Sequence, residues 1–303
     1  MADPTVTGMN HSAGTIVHRR FRFRPSTVRW LRRLGRNQLT LLGAAGIAVF
    51  LLVGVLAPYV EPHPYAAFDL DHRLSGPTWT YPFGTDQFGR DLLSRVVYGA
   101  RISLTVALAG TSIGTVAGVV LGASAAYIGG WLDEIVMRAM DILLAFPQIV
   151  LAIAVASLLG PSLVNVIWII GLLIIPQFAR VTRGSVLAVM NLEYVTAART
   201  VGQTEIRILL RHVFPNVLGP LVVLASLTIP SAIITEAALS FLGVGVQLPT
   251  PSWGNLLADG YSYLLQAPWL TIFPGIAITA AVLAFNVLGD GLRDALDITG
   301  PRT

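Results

Sequence analysis

The chain has 303 residues, of which 54% are hydrophobic and only 12% charged, with a formal net charge of +4 and a mean hydropathy of +0.70. Soluble domains carry about 25% charged residues, so composition alone excludes an ordinary soluble domain and points to a membrane protein. There is no cysteine, which excludes disulfides and thiolate metal sites, and the five histidines show no ligand spacing; no metal site is expected.

Residues 1–38 form a basic leader holding eight arginines. It lacks the apolar stretch of a cleavable signal peptide. Topology anchoring on membrane lipid explains it, since each arginine near anionic lipid gains ~1 kcal/mol. It presents no fold for nucleic acid. From Arg29 to Arg36 a helix on the inner leaflet is expected.

A membrane span needs ~20 mostly apolar residues. The first is 39–57, charge-free. An outer loop, 58–101, precedes a second charge-free run at 102–128. No charge falls between Asp141 and Arg180, too long a stretch for one helix, and Gly160-Pro161-Ser162 divides it into spans near 142–159 and 163–179. Further spans lie at 217–235 and 270–289, and a tail at 290–303 closes the chain. The expectation is all-α: a polytopic protein of six transmembrane helices, with a core domain over 102–289. Six spans put both termini on one side. Sixteen arginines then share that side, leaving only Arg73, Arg90, Arg95 and Arg101 opposite. The positive-inside rule reads this as N-in, C-in. The cluster Arg90, Arg95 and Arg101 strains that reading, and Asp86 and Asp91 lie among it as partners.

Several features within the spans carry chemistry. Gly110, Gly114, Gly118 and Gly122 form a ladder every fourth residue, which lets another helix approach closely. Packing inside the chain is the commoner use of such a face, a subunit interface the sharper one. Pro147, Pro176, Pro230 and Pro274 interrupt four helices and kink them. Glu236, with Ser240 one turn on, is an acid within an apolar run. A charge at a helix centre costs ~2.5–3.5 kcal/mol, so it faces a solute pathway or bonds to a neighbouring helix. The stretch 248–269 is rich in Pro, Trp and Tyr. Its Trp253, Tyr261, Tyr263 and Trp269 suit a membrane interface, in a short re-entrant helix.

The polar insert EYVTAARTVGQTEIRILLRHVFPN, 193–216, falls on the cytoplasmic side. Ile206, Leu209, Leu210, Val213 and Phe214 share one face of a helix that starts at Thr204 and stops at Pro215. With Glu193–Val201 before it, the insert reads as helix, Gly202 turn, helix. From periodicity alone it either lies on lipid or docks a protein.

The insert resembles the cytoplasmic EAA loop of ABC-importer permeases: Ala197-Ala198, Gly202 and Pro215 occupy the motif's small, Gly and Pro positions. Thr196 stands where the general motif has Glu. The segments FGTDQFGRDLLSRVVYGARISL (83–104), MDILLAFPQIVLAI (140–153) and EAALSFLGVGVQLPTPSWGNLL (236–257) resemble the dipeptide, oligopeptide and nickel group, in its type with an N-terminal extension and a GTDxxGRD segment. The likeness covers roughly residues 30–300 and implies the type I ABC-importer permease fold in a bacterial inner membrane. It further implies a second homologous permease, two cytoplasmic ATPase subunits and an extracytoplasmic substrate-binding protein. The implied function is one half of a translocation pathway for di- or oligopeptides, with coupling through Glu193, Tyr194, Val195, Ala197, Ala198, Gly202 and Pro215. Tyr194 and Val195 would fill the ATPase groove, while Ile206, Leu209 and Leu210 would hold the loop to the membrane helices. No GxxxxGK[ST] occurs, so the chain is expected to be no enzyme and to bind no cofactor, ATP and Mg2+ being used by partners. Nickel or another small solute is the alternative cargo. A stand-alone secondary transporter is disfavoured because no internal repeat is visible.

Overall fold

The structure, a computed structural model, describes residues 37–296. The leader, its expected helix at Arg29–Arg36 and the end of the tail lie outside those residues. Asn37 opens helix α1, Gln38–Val60, by accepting from the Leu39 amide through its side chain at 3.0 Å. A loop with one 3-10 turn, Leu70–His72, leads to α2, Leu92–Ile128, which Asp91 caps through the Leu93 and Ser94 amides. Helices α3, Gly130–Ala145, and α4, Gln148–Leu159, follow. Helix α5, Leu163–Met190, is capped by Ser162. Two short helices, α6 (Glu193–Thr200) and α7 (Glu205–Ile208), pass through a π turn at Leu209–Val213 into α8, Phe214–Phe241. Helix α9, Trp253–Tyr261, starts with a reciprocal capping box between Ser252 and Asn255, and α10, Trp269–Leu296, ends the described chain.

Five of these segments are long and apolar enough to span a membrane, and α3 with α4 make a sixth if that pair counts as one. The pair is bent by 95°, so 142–159 is not the single straight helix read from hydropathy. Phe146 precedes Pro147 and is extended, φ −92° and ψ 139°, because the proline ring disfavours the helical conformation of the residue before it. Pro176, Pro230 and Pro274, in contrast, lie inside continuous helices. The other spans outrun their apolar cores. Helix α2 begins at Leu92, inside the expected outer loop, and α5 runs on past Arg180 and Arg183. A charge ends a hydropathic window, but it does not break helical hydrogen bonding.

Helices α2 and α5 pack along the glycine ladder. A Cβ on Gly114 would sit 2.6 Å from the Gly171 carbonyl, and one on Gly118 would sit 2.7 Å from that of Ile175. Gly110 faces Ile170 in the same way, and Gly122 faces the Ala179 backbone. The ladder is therefore consumed within the chain. Helix α3 is tied to α5 by a two-pronged pair, with Arg183 Nε and Nη2 donating to the two Asp133 oxygens at 2.5 Å each.

Two of the three arginines clustered around the start of α2, Arg90 and Arg95, are internal. Arg90 pairs with Asp86 at 2.6 Å, Arg95 is fully buried 3.6 Å from Asp86, and both lie within 4 Å of Asp259 on α9 (3.9 and 3.7 Å). Of that cluster only Arg101 stays outward, its guanidinium 6.0 Å from the Tyr98 ring centre, and Arg73 in the preceding loop is exposed as well. Two of the three charges of this cluster, on the side expected to be poor in arginine, are thus paired with carboxylates inside the fold. Burial pushes the Asp259 carboxyl up, and the two guanidiniums pull against that shift.

Candidate functional site

Helix α6 closes with a Schellman motif. The Gln203 amide reaches back to the Ala198 carbonyl at 3.2 Å and the Gly202 amide to Arg199 at 2.9 Å, while Gly202 holds φ +81°. An L side chain resists that conformation, so glycine is required for the turn. The turn doubles α7 back beside α6. Tyr127 at the end of α2 donates to Glu205, which also pairs with Arg199 at 3.2 Å. Gln203 and His212 bond at 3.0 Å. The element is therefore braced on both sides of Gly202.

The inward face matches the expected one at Val213, which is buried, and at Leu209, which packs against the core, and departs from it elsewhere. Ile208, Val213 and Val217 are buried, whereas Ile206 is 70% exposed and Leu210 62% exposed. The π turn explains the change. It adds a residue to the helical repeat, so an apolar face counted at 3.6 residues per turn rotates out of register across Leu209–Val213. Pro215 does not stop the helix. It sits in the first turn of α8, where a missing N–H costs least, and residues 205–241 run as one rod. Val195 is fully buried within the chain, so it anchors α6 and is not free to fill a groove on another protein. Ala198 is buried beside it, while Glu193, Ala197, Thr196 and Gly202 are exposed. Tyr194 is 36% exposed, its hydroxyl accepting from the Asn216 side-chain amide at 3.2 Å, and burial of part of the ring pushes its phenol up. Among the outward residues Leu192, Val201 (82% exposed) and Ile206 are apolar.

Glu236 and Ser240 line no open path in this chain, because both are buried. The Ser103 hydroxyl donates to one Glu236 oxygen at 2.7 Å, and the Ser240 hydroxyl to the other at 2.8 Å. Each serine also accepts a backbone amide, Trp253 at 3.2 Å and Val246 at 3.1 Å. The carboxylate thus ends two relays that fix the N-terminus of α9 and the turn after α8. Trp253 is not at an interface either: it is buried, and its indole donates to the Val96 carbonyl at 3.0 Å. Apolar composition marked 236 as unusual, but the partner serines lie far away in sequence.

Sequence reading also passed over Gln148, Gln177, Thr228, Ser231 and Thr235. These come together from three helices on one groove. Their only signal was polarity inside charge-free runs.

The architecture is that of a helical ABC-importer permease. The fold is shared with a chain of the MetNI methionine ABC transporter, solved in inward-facing conformations, with a TM-score of 0.54 and 19% identity over 67% of this chain and 97% of that one. A family model described as the binding-protein-dependent transport system inner membrane component matches residues 114–298, and one for the N-terminal TM domain of oligopeptide transport permease C matches 27–77. The dipeptide transport system permease protein of Alkalihalophilus pseudofirmus is 43% identical over 88% of each chain. A di/tripeptide permease of Pseudomonas aeruginosa is 42% identical over 84% of this chain and 88% of its own. A glutathione permease of Pectobacterium atrosepticum is 44% identical over 84% and 85%. The chain belongs to the family of binding-protein-dependent transport inner-membrane components: it is a multi-pass permease subunit of an ABC importer.

Proposed function

We propose that this permease carries peptides of a few residues and takes its energy from ATPase subunits seated on α6 and α7. The observation that carries the coupling role is the exposure of three apolar side chains, Leu192, Val201 and Ile206, on a braced helical hairpin that is otherwise polar. Bare apolar groups on a rigid element favour a protein partner. Rigidity matters because α7 continues into α8, so force applied at the hairpin moves a membrane helix directly. Glu193, Tyr194, Ala197 and Gly202 contribute the exposed contact, and Val195, Ala198 and Pro215 hold its shape. N-in, C-in orientation, a second homologous permease, an extracytoplasmic binding protein, and ATP with Mg2+ on the partner subunits complete the reading. The peptide cargo is supported by the dipeptide, di/tripeptide and glutathione relatives, glutathione being itself a peptide.

The test is purification of the intact complex from membranes. Wild type brings down an ATPase and a second permease, and the reconstituted complex takes up dialanine with ATP. A Cβ on Gly202 meets nothing within 4 Å, so the strain of an L residue at φ +81° falls on the exposed turn and not on the spans; Gly202→Asp leaves the chain inserted while ATPase recovery and uptake are lost. Full ATPase recovery and uptake in that variant would end the coupling assignment.

A further inference from the structure

Helices α5 and α8 enclose a groove of ≈ 190 Å³ with Gln148, the first residue of α4, at its edge. Thr228, Ser231 and Thr235 are spaced i, i+3, i+7 and so share one face of α8. Gln177 projects from α5 toward the same space. Thr228 donates back to the Leu224 carbonyl at 2.7 Å and Thr235 to that of Ser231 at 2.8 Å, which leaves their oxygen lone pairs free to accept. Among the described residues the Gln148 and Gln177 amides and the Ser231 hydroxyl have no hydrogen-bond partner. An amide left unpaired in hydrocarbon costs roughly 4–8 kcal/mol, and the bilayer core offers no donor or acceptor. This face is therefore not turned to lipid. Water, a polar solute or a polar face of the second permease must satisfy it, and the thiol-labelling rates below separate the first two from the third. The lining holds no ionisable side chain, only amides, hydroxyls and apolar walls.

We propose that this groove is the chain's solute-lining surface. It hydrogen-bonds the backbone amides of a passing peptide and leaves the charge of the peptide's side chains unread. Amide and hydroxyl groups both donate and accept, as a peptide bond does, and an uncharged wall neither holds nor repels a charged residue. The inference rests on the peptide reading above and adds to it the residues and the mode of contact.

The absence of cysteine makes each introduced thiol unique in this chain. In the intact complex, Ser231→Cys and Gln177→Cys are compared with Val116→Cys and Val222→Cys, exposed apolar positions, using a negatively charged methanethiosulfonate. The groove thiols react at least ~10-fold faster, because each unit by which apolar burial raises a thiol cuts its reactive thiolate about tenfold. Modification at Ser231→Cys blocks dialanine uptake. Equal rates at all four positions, with and without nucleotide, would show a lipid-facing or tightly packed surface and overturn the inference. A charge-blind wall also predicts similar maximal uptake of Ala-Lys and Ala-Asp by wild type, and uptake favouring Ala-Lys after Ser231→Asp. A wild-type preference by charge that Ser231→Asp leaves unchanged overturns the contact mode. Wild-type uptake of dialanine tests the peptide reading separately: its failure alongside fast groove labelling removes the peptide, not the water-lined groove.

Discussion

Ser103 and Glu236 lie 133 positions apart in sequence and are joined by a 2.7 Å hydrogen bond in the buried interior. The serine relays a backbone amide of α9 onto the carboxyl group on α8, and Ser240 relays the Val246 amide, from the turn after α8, onto its other oxygen. Glu236→Gln keeps one acceptor and lets one hydroxyl turn to accept from its amide. It should cost about 1 kcal/mol, the net worth of one hydrogen bond, and leave transport rate and solute range near wild type. Glu236→Ala strands both hydroxyls and opens a cavity, costing roughly 3–5 kcal/mol. Thermal unfolding in detergent, read beside dialanine uptake, checks both. A large change of solute preference in Glu236→Gln at unchanged stability would return this residue to the pathway.

The glycine ladder gives a sharper pair. Gly118 and Gly184 lie on packed helices, but a Cβ on Gly118 meets Phe178 at 2.6 Å and a backbone carbonyl at 2.7 Å, while one on Gly184 meets nothing within 4 Å. Gly118→Ala should lower stability by about 1–3 kcal/mol through overpacking. Gly184→Ala should raise it by up to ~1 kcal/mol, from helix propensity alone. The two melting temperatures moving in the same direction would contradict the packing described.

The spans were legible in the sequence because lipid demands long apolar runs, and the sites were legible only where chemistry is local. Gly202 could be placed because its turn depends on neighbours in sequence. The face of α7 was misplaced because a π turn changes the repeat without any marker residue. Glu236 was visible as an acid among apolar residues, and a bond to a neighbouring helix was one of its two expected uses; only the partner could not be named, since Ser103 lies 133 positions away. The break at Phe146 was half-legible: Pro147 signalled a bend, and the 95° turn depends on how α3 and α4 pack.

Arg183 and Asp133 test how firmly the bent pair is moored to α5. The fork is only partly exposed, with side-chain exposures of 35% and 21%, and its two parallel bonds need a planar guanidinium. Arg183→Lys keeps the charge and loses one bond. It should cost a few tenths of a kcal/mol up to ~1, in the range of partly solvated pairs, and Asp133→Asn a similar amount. The double variant should cost less than the sum of the two. Additive losses, read from thermal melts, would mean that the pair does not act as a unit.

The loop between α1 and α2 carries a pH dependence whose sign follows from one carboxylate. The Tyr81 hydroxyl donates to Asp69 at 2.7 Å, and His72 lies against the same oxygen at 2.8 Å. The tyrosine bond, with the histidine's behind it, holds the Asp69 carboxyl below the usual range. An acid whose folded value is depressed stabilises the fold fully above its unfolded value of about 3.9 and loses that contribution as pH falls through the folded value. Wild-type amide protection over residues 69–85 should therefore persist through the ordinary carboxylate range and fall only below it. Tyr81→Phe removes the principal donor, so the same loss should begin at higher pH, with the spans unaffected. Hydrogen exchange followed against pH reads both profiles, and coincident curves for wild type and Tyr81→Phe would mean that this bond does not set the loop's acid limit.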